Sequence, residues 1–214
     1  MTGAVITVAQ QKGGAGKTTL VAQLAVAFAR SGKRVALVDI DPQGSLSRWF
    51  AARDPSASNN ISLSTVTGWR AQSVIDRLKS EFEIVLVDSA PHAETEAKIA
   101  VRAASLVLVP VQPSPLDLWA TEPTLALARA EKRPVLLVIN RVQSRVKLAE
   151  TLSEEITKLG AETARATLGN RTSFAASMLD GKGVVETVPG TKAAAEITAL
   201  TKELTKRLAR LANT

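Results

Sequence analysis

The stretch Gln11-Lys12-Gly13-Gly14-Ala15-Gly16-Lys17-Thr18-Thr19 packs three glycines, two lysines and two threonines between an apolar run and a helical pattern that begins Leu20-Val21. Glycines let backbone N–H groups turn inward around phosphate oxygens, and a helix that follows adds the dipole of its N-terminus. Lys17 supplies a point charge and a hydroxyl can hold magnesium. Counting back from Gly16, Gln11 stands where the common G-x-x-x-x-G-K-[ST] loop has its first glycine, and Lys12 comes just after it. Two ammonium groups in one tight loop repel unless a strongly anionic ligand sits nearby, which a nucleoside triphosphate would be. Asp39 and Asp41 lie in Val38-Asp39-Ile40-Asp41-Pro42-Gln43-Gly44, and Asp88 closes the run Ile84-Val85-Leu86-Val87. All three fall at strand ends, where open α/β sheets bind ligands.

The elements that must hold these groups follow from hydrophobic pattern. Val5–Ala9, Val35–Asp39, Ile84–Asp88, Leu106–Val111 and Val135–Asn140 are short runs of Val, Ile and Leu without polar alternation, as strands buried on both faces require. Helical patterns fit between and after them at Lys17–Ser31, Ser73–Phe82, Glu94–Ala103, Leu116–Ala130, Val146–Leu159 and Thr191–Leu211. The alternation predicts an α/β fold with a doubly wound, mostly parallel sheet, one domain over residues 1–214. Arg53–Gly68 breaks the pattern: it is rich in Ser, Asn, Asp and Pro around a weak strand at Ile61–Thr65 and reads as a surface excursion.

Composition narrows the chemistry further. Of 214 residues, 45% are hydrophobic and 22% charged, an ordinary globular balance. Cysteine is absent, which removes disulfides, thiolate metal sites and a cysteine nucleophile, and the single histidine leaves no nitrogen-rich metal cluster. The opening residues lack the basic region of a signal peptide, and no apolar run approaches the roughly 20 residues of a bilayer span, so a cytoplasmic protein is expected. The net charge of +7 raises the expectation of an anionic partner. It is shared between the two halves of the chain, so it belongs to the folded body and not to a tail.

KGGAGKTT resembles the deviant Walker A loop of the ParA/MinD ATPases, whose extra lysine reaches across a dimer that sandwiches two nucleotides; Lys12 matches that lysine. Asp39-Ile40-Asp41-Pro42-Gln43-Gly44 is similar to the Walker A′ segment of the ParA branch, which implies a water-orienting role for Asp41 and a supporting place for Asp39 near magnesium. Ile84–Asp88 resembles Walker B, so Asp88 would meet magnesium, through water. Ser89-Ala90 departs mildly from the family's pattern there. Val109–Trp119 is similar to the stretch that shapes the γ-phosphate side and the dimer face, and Asn140 matches the place of the amide presented to adenine. Similarity to small ParA proteins continues through 171–195. The resemblance implies ATP and Mg2+ as ligands, with Gly13, Gly14, Ala15, Gly16, Lys17, Thr18, Thr19 and Asn140 around the nucleotide. It assigns the metal to Thr18, Asp39 and Asp88, and catalysis to Lys12, Lys17 and Asp41.

It further implies a slow, partner-stimulated ATPase that forms a homodimer with ATP and binds DNA without sequence preference. Such a switch segregates or positions a cargo through a centromere-binding or adaptor protein, and sits on the nucleoid when ATP is bound. Because the sequence opens at its first strand, no N-terminal helix-turn-helix is expected. A MinD-like membrane-associated positioning ATPase is the alternative; the closing segment lacks the Phe or Trp that anchors an interfacial helix. A nitrogenase-reductase type is excluded by the missing cysteines, and a metabolic P-loop enzyme would show turnover dependent on a small molecule.

Other residues carry blander readings. His92 is close enough to Asp88 to suggest a general base, but in-line phosphoryl transfer needs positioning and charge neutralisation more than a base. Trp49, Trp69 and Trp119 are packing or interface residues, since seven aromatics are too few for a base-stacking platform. In the last helix Ile197, Leu200, Leu204, Leu208 and Leu211 form an apolar stripe, with Lys202, Lys206 and Arg210 opposite and Arg207 beside them. That basic face is either solvated or meets a phosphate backbone, and Arg145, Arg165, Arg171 and Lys192 are equal candidates for such contacts.

Overall fold

The computed structural model describes residues 2–57, 60–90, 94–143 and 154–213. In chain order the elements are β1 (Ala4–Val8), α1 (Lys17–Arg30), β2 (Val35–Asp39), α2 (Ser45–Ala51), a 3-10 turn (Pro55–Ala57), β3 (Ile61–Thr65), α3 (Arg70–Glu81), β4 (Ile84–Asp88) and α4 (Glu94–Ala103). There follow β5 (Leu106–Val111), α5 (Pro115–Trp119), α6 (Glu122–Ala130), β6 (Val135–Ile139), β7 (Glu162–Thr163), α7 (Thr172–Leu179), α8 (Val184–Thr187) and α9 (Lys192–Leu211).

Seven strands form one sheet in the order β3-β2-β4-β1-β5-β6-β7, every pair parallel. Parallel neighbours need crossovers, and the helices that supply them cover both faces. Alternate strand residues go to opposite sides. Ile6, Leu37, Leu86, Leu108 and Val138 pack with α1 and α9, while Val5, Val38, Val85 and Val87 meet α3. Val107, Val109 and Leu137 lie under α4 and α6. The apolar stripe of α9 is spent in this core, with Ile197, Leu200, Leu204 and Leu208 buried.

The strand register does the positioning. Asp39 at the end of β2 stands directly beside Asp88 at the end of β4, and Asp88 beside Val8 at the end of β1. The glycine loop springs from β1, so both acids are delivered to its mouth.

Three expectations change. Arg53–Gly68 is not merely a surface excursion: β3 pairs with β2 over its full length, and Arg53 is 6% exposed. Its guanidinium grips Glu186 at 2.6 Å and the Gly181 carbonyl at 2.8 Å, and a partner so distant in sequence leaves no local trace. The helix expected over Leu116–Ala130 is two, α5 and α6, because Pro123 in the first turn of α6 lacks the N–H that a continuous helix would use. The short segments α2, α7 and α8, for which no helix was expected, also form helices. Of the helix expected at Val146–Leu159, residues 146–153 lie outside the described residues and 154–158 are helical. His92 and Arg145 also lie outside them.

Candidate nucleotide-binding site

Gly16 starts α1 from the left-handed region, with φ +93°, and a Cβ there would stand 2.7 Å from Asn140 Nδ2. Both facts call for glycine. No side chain caps α1 and no acid stands in its first turn, so its leading N–H groups are open to an anion. Lys17 is buried at that turn, and burial lowers its ammonium's pKa while the charges of Asp88 and Asp41 act to raise it.

Thr18 Oγ1 donates to Asp88 Oδ2 at 2.7 Å. The other oxygen of Asp88 is buried with no hydrogen-bond partner among the described residues. Burial pushes the Asp88 carboxyl up to about 7; the Thr18 hydrogen bond and Lys17 oppose this, while Asp39 and Asp41 add to it. An orphaned buried oxygen beside a hydroxyl fits a cation that takes few protein ligands.

Asp39 has other partners than a metal. Its Oδ2 accepts from Ser47 N–H at 2.9 Å and Ser47 Oγ at 2.6 Å, and its Oδ1 from Asp41 N–H at 3.2 Å. It therefore pins the turn that carries Asp41. Asp41 itself is half-buried and accepts from Gln43 N–H at 2.9 Å.

The opposite flank is built from β5, β6 and α5. Asn140 sits at the end of β6, donates to the Ala15 carbonyl at 2.9 Å and accepts from Arg141 N–H at 2.9 Å. Its Nδ2 end thus braces the loop, while its Oδ1 end is held by the residue that follows it. Asn140 also lines a pocket with Gly16, Thr19, Gln23, Leu168 and Phe174, beside the start of α1. Arg171, on the same pocket, is held by Glu196 at 2.5 Å. Gly13 and Gly14 are exposed at the tip, where Gln112 Nε2 donates to the Gly14 carbonyl at 3.2 Å.

Lys12 does not depend on a bound ligand for a counter-charge: its ammonium is 2.9 Å from Asp117. The repulsion argument from sequence overlooked this acid. Ser114-Pro115-Leu116-Asp117 carried a helix-cap signature that could have been read, with Ser114 capping α5; its pairing with Lys12 could not. Gln10, Ser47, Thr121 and Thr124 were likewise missed as loop supports.

A glycine loop opening a helix, a buried lysine, and a hydroxyl joined to a carboxylate at the end of a parallel strand define a P-loop nucleotide-binding protein. Residues 6–185 match the profile described as CbiA, the CobQ/CobB/MinD/ParA nucleotide binding domain, and the chain belongs to that family. Its ParA/MinD members are ATPases with nucleotide-bound structures.

Among relatives, the chain is 28% identical over 211 residues to the maintenance of carboxysome distribution protein A of Halothiobacillus neapolitanus, covering 93% of this chain and 95% of that one. It is 33% identical over 131 residues to protein ParA of Rhizobium radiobacter, covering 61% of this chain and 59% of that one. In fold it is similar to the Cyanothece McdA–ATP complex, with TM-score 0.80, 16% identity and coverage of 94% and 95%. It is also similar to the cell division ATPase MinD of Pyrococcus furiosus, with TM-score 0.79, 22% identity and coverage of 95% and 99%. Among the described residues no helix is long and apolar enough to cross a membrane.

Proposed function

We propose that the chain is a one-domain, ATP-dependent dimerising switch that positions a cargo. It binds ATP with magnesium, pairs face to face with a second copy, binds DNA without sequence preference in that state, and hydrolyses ATP slowly until a partner protein stimulates it. The observation that carries this reading is the divergence of the two lysines of one loop. Lys17 is buried toward the carboxylates, whereas Lys12 leaves the loop toward α5, where Leu116 and Trp119 are 67% and 64% exposed. A lysine placed at an exposed apolar rim suits a contact made across an interface.

In this reading Lys17 neutralises the phosphates of the nucleotide in its own chain and Lys12 those of its partner's. The N–H groups at the start of α1 bind phosphate oxygens. Thr18 and Asp88 would hold magnesium, which would offset the charge of the phosphates. Asp41 orients the attacking water, and Asp39 fixes the turn that presents Asp41. Asn140 keeps the loop open next to the base pocket.

The DNA surface is best supported at α9, where exposed Lys202 and Lys206 border a groove shared with Arg165, Arg207 and Arg210. Glu162 and Glu203 temper that groove, Glu162 by pairing with Arg207. The end-to-end likeness to a carboxysome-distribution protein supports a protein body as cargo, and the likenesses to ParA support a DNA cargo. A membrane-associated switch of the MinD kind is less well supported, because the apolar stripe of α9 is already packed.

Retention on non-specific duplex DNA, measured with ATP, ADP and no nucleotide at two salt concentrations, tests the reading. Binding should require ATP, weaken with salt, and vanish in Lys12→Ala. Absence of binding in every state refutes the DNA switch. ATP-dependent vesicle binding instead would favour the membrane form, and turnover dependent on a small molecule a metabolic enzyme.

A further inference from the structure

β3 is the outermost strand of the sheet, with β2 on one side and no strand on the other. Val35 N–H donates to the Asn60 carbonyl at 2.8 Å and Val66 N–H to the Asp39 carbonyl at 3.1 Å, which fixes the parity of the ladder. Asn60, Ser62, Ser64 and Val66 turn their backbone toward β2. The N–H and C=O groups of Ile61, Leu63 and Thr65 therefore point outward, and none of these groups has a hydrogen-bond partner among the described residues. Soluble proteins ordinarily blunt such an edge with a charge, a proline, a bulge or a covering segment, because free backbone groups pair with any extended chain. Ile61-Ser62-Leu63-Ser64-Thr65 contains no charged residue and no proline, and its register with β2 runs through all five residues without a bulge.

The surroundings of the edge say what would fit it. Ile61 and Leu63 belong to the apolar core on the α1 side, while Ser62 and Ser64 are half-buried on the other face. An added strand would meet one apolar and one hydroxyl-bearing face, which suits alternating apolar and polar residues. Beyond the end of β3, Trp69 is 77% exposed and the Arg70 guanidinium lies 5.5 Å from the centre of its ring. Arg48 is exposed on α2 next to Ser47, whose Oγ is 3.1 Å from Thr65 Oγ1. Neither arginine has a carboxylate partner among the described residues, and residues 60–75 include no acid. We propose that the open edge of β3 is a docking site for an extended segment of a partner protein, acidic where it reaches Arg48 and Arg70. The backbone ladder supplies affinity, and the two guanidinium groups with the Trp69 ring select the sequence. The edge also adjoins the acid flank: Ser47 Oγ donates to Asp39 at 2.6 Å, and Asp39 accepts from Asp41 N–H. An occupant of β3 thus lies next to the turn that carries Asp41, so it is the partner that stimulates hydrolysis. This last assignment rests on the proposed function; docking does not.

The test uses the full chain, isotopically labelled for NMR, and a short capped synthetic peptide that alternates valine and threonine and carries glutamate at both ends. In the free chain the amides of Ile61, Leu63 and Thr65 should exchange with solvent at least about tenfold faster than those of Ser62 and Ser64, which are bonded to β2. The peptide should shift the amide signals of Ile61–Thr65 and slow exchange at Ile61, Leu63 and Thr65. Arg70→Glu should weaken its binding roughly three- to tenfold. Leu63→Pro removes one outward N–H without touching a bond to β2, and should abolish binding. Peptides with a central proline, or with lysine in place of glutamate, should bind less tightly by at least the same factor. ATP turnover with saturating peptide should rise at least about twofold.

Slow exchange at Ile61, Leu63 and Thr65 in the free chain means an edge already covered, and overturns the proposal even if Leu63→Pro does not fold. Signal shifts confined to other surfaces, or equal binding by the proline-broken peptide, mean general attraction to a basic chain and overturn it too. So does self-association of the nucleotide-free chain that Leu63→Pro abolishes in ultracentrifugation, because the occupant is then a second copy. Docking at β3 with unchanged turnover overturns the link to the Asp41 turn alone. A chain that docks the peptide yet never hydrolyses ATP overturns the proposed function and leaves the docking site standing.

Discussion

Lys12 and Lys17 belong to one loop yet meet opposite surroundings. Lys17 is buried, faces Asp88 and Asp41, and belongs to a flank made by β1, β2 and β4 in which acids outnumber bases. Lys12 is part-exposed, pairs with one acid of α5, and belongs to a flank of neutral amides and hydroxyls from Gln10, Gln112, Thr121, Thr124 and Asn140. A surplus of buried acid calls for a cation; a braced flank with one loosely covered lysine calls for a partner. In the proposed switch the same nine-residue motif would divide its work between holding a ligand and meeting a second copy.

The sharpest way to break this comparison is to remove each lysine in turn. Lys17→Ala should lower ATP hydrolysis at least about a hundredfold and weaken nucleotide binding by the isolated chain, because it removes the charge aimed at the phosphates. Lys12→Ala should leave nucleotide binding by the monomer within a few-fold of wild type while abolishing the dimer. Fluorescent-nucleotide titration beside ultracentrifugation would show this, and equal losses from the two substitutions would erase the distinction between flanks.

The acid flank depends on an anchor outside itself. The turn carrying Asp41 runs into α2, and beyond α2 Arg53 is buried against Glu186 at 2.6 Å. Trp49 Nε1 adds a hydrogen bond to the Lys182 carbonyl at 3.2 Å. Burial acts to raise the Glu186 carboxyl, but hydrogen bonds from Arg53 and Gly183 N–H, with the charges of Arg53 and Arg30, outweigh it and hold the group below its ordinary value of 4.5. A carboxyl depressed on folding adds stability that is fully present above its unfolded value and is lost as pH falls through its folded value. Glu186→Gln should therefore cost about 2–3 kcal/mol at neutral pH, as a charged hydrogen-bonded pair does, and progressively less as the pH drops below about 4. Urea unfolding of both proteins across that range measures it; a cost that does not shrink on acidification would contradict the assignment.

What could be read from sequence was whatever strand ends and loop spacing determine. Asp39, Asp88 and the loop were legible because each closes an apolar run, and parallel register then aligns them. The edge strand β3 was placed within its true bounds although its surroundings looked like loop. Arg53, Asp117 and the bracing role of Asn140 were not legible. Each is defined by a side-chain contact between distant parts of the chain, with Glu186, Lys12 and Ala15, and no periodicity encodes such a contact. The break between α5 and α6 was legible in principle, since Pro123 stands in the sequence, but the apolar spacing across it favoured one helix.

Asp88 offers a milder test of the acid flank. Asp88→Asn keeps the shape and can still accept the Thr18 hydroxyl, yet removes the charge that an adjacent cation would balance. Magnesium should then tighten nucleotide binding roughly ten- to a hundredfold less than in wild type, by calorimetry with and without the ion. Stability without ligand should hold or rise, because the amide lacks the desolvation cost that burial imposes on the carboxylate. A variant that loses stability but keeps its magnesium dependence would place the cation elsewhere.

The smallest effect belongs to Asn140, and it separates bracing from base recognition. Its amide closes the space over Gly16, so Gly16→Ala carries two penalties, a left-handed backbone and a Cβ 2.7 Å from Nδ2. Together they should cost about 1–3 kcal/mol. Asn140→Ala alone should cost about 1 kcal/mol for its buried hydrogen bond to the Ala15 carbonyl. In the double variant the clash is gone and only backbone strain remains, so the two losses should sum to less than their separate values, as contacting residues do. Thermal unfolding of the four proteins gives that coupling. ATP and GTP affinities measured on Asn140→Ala then decide the rest: similar weakening for both nucleotides means that the amide braces the loop, whereas selective loss of ATP means that it also reads the base.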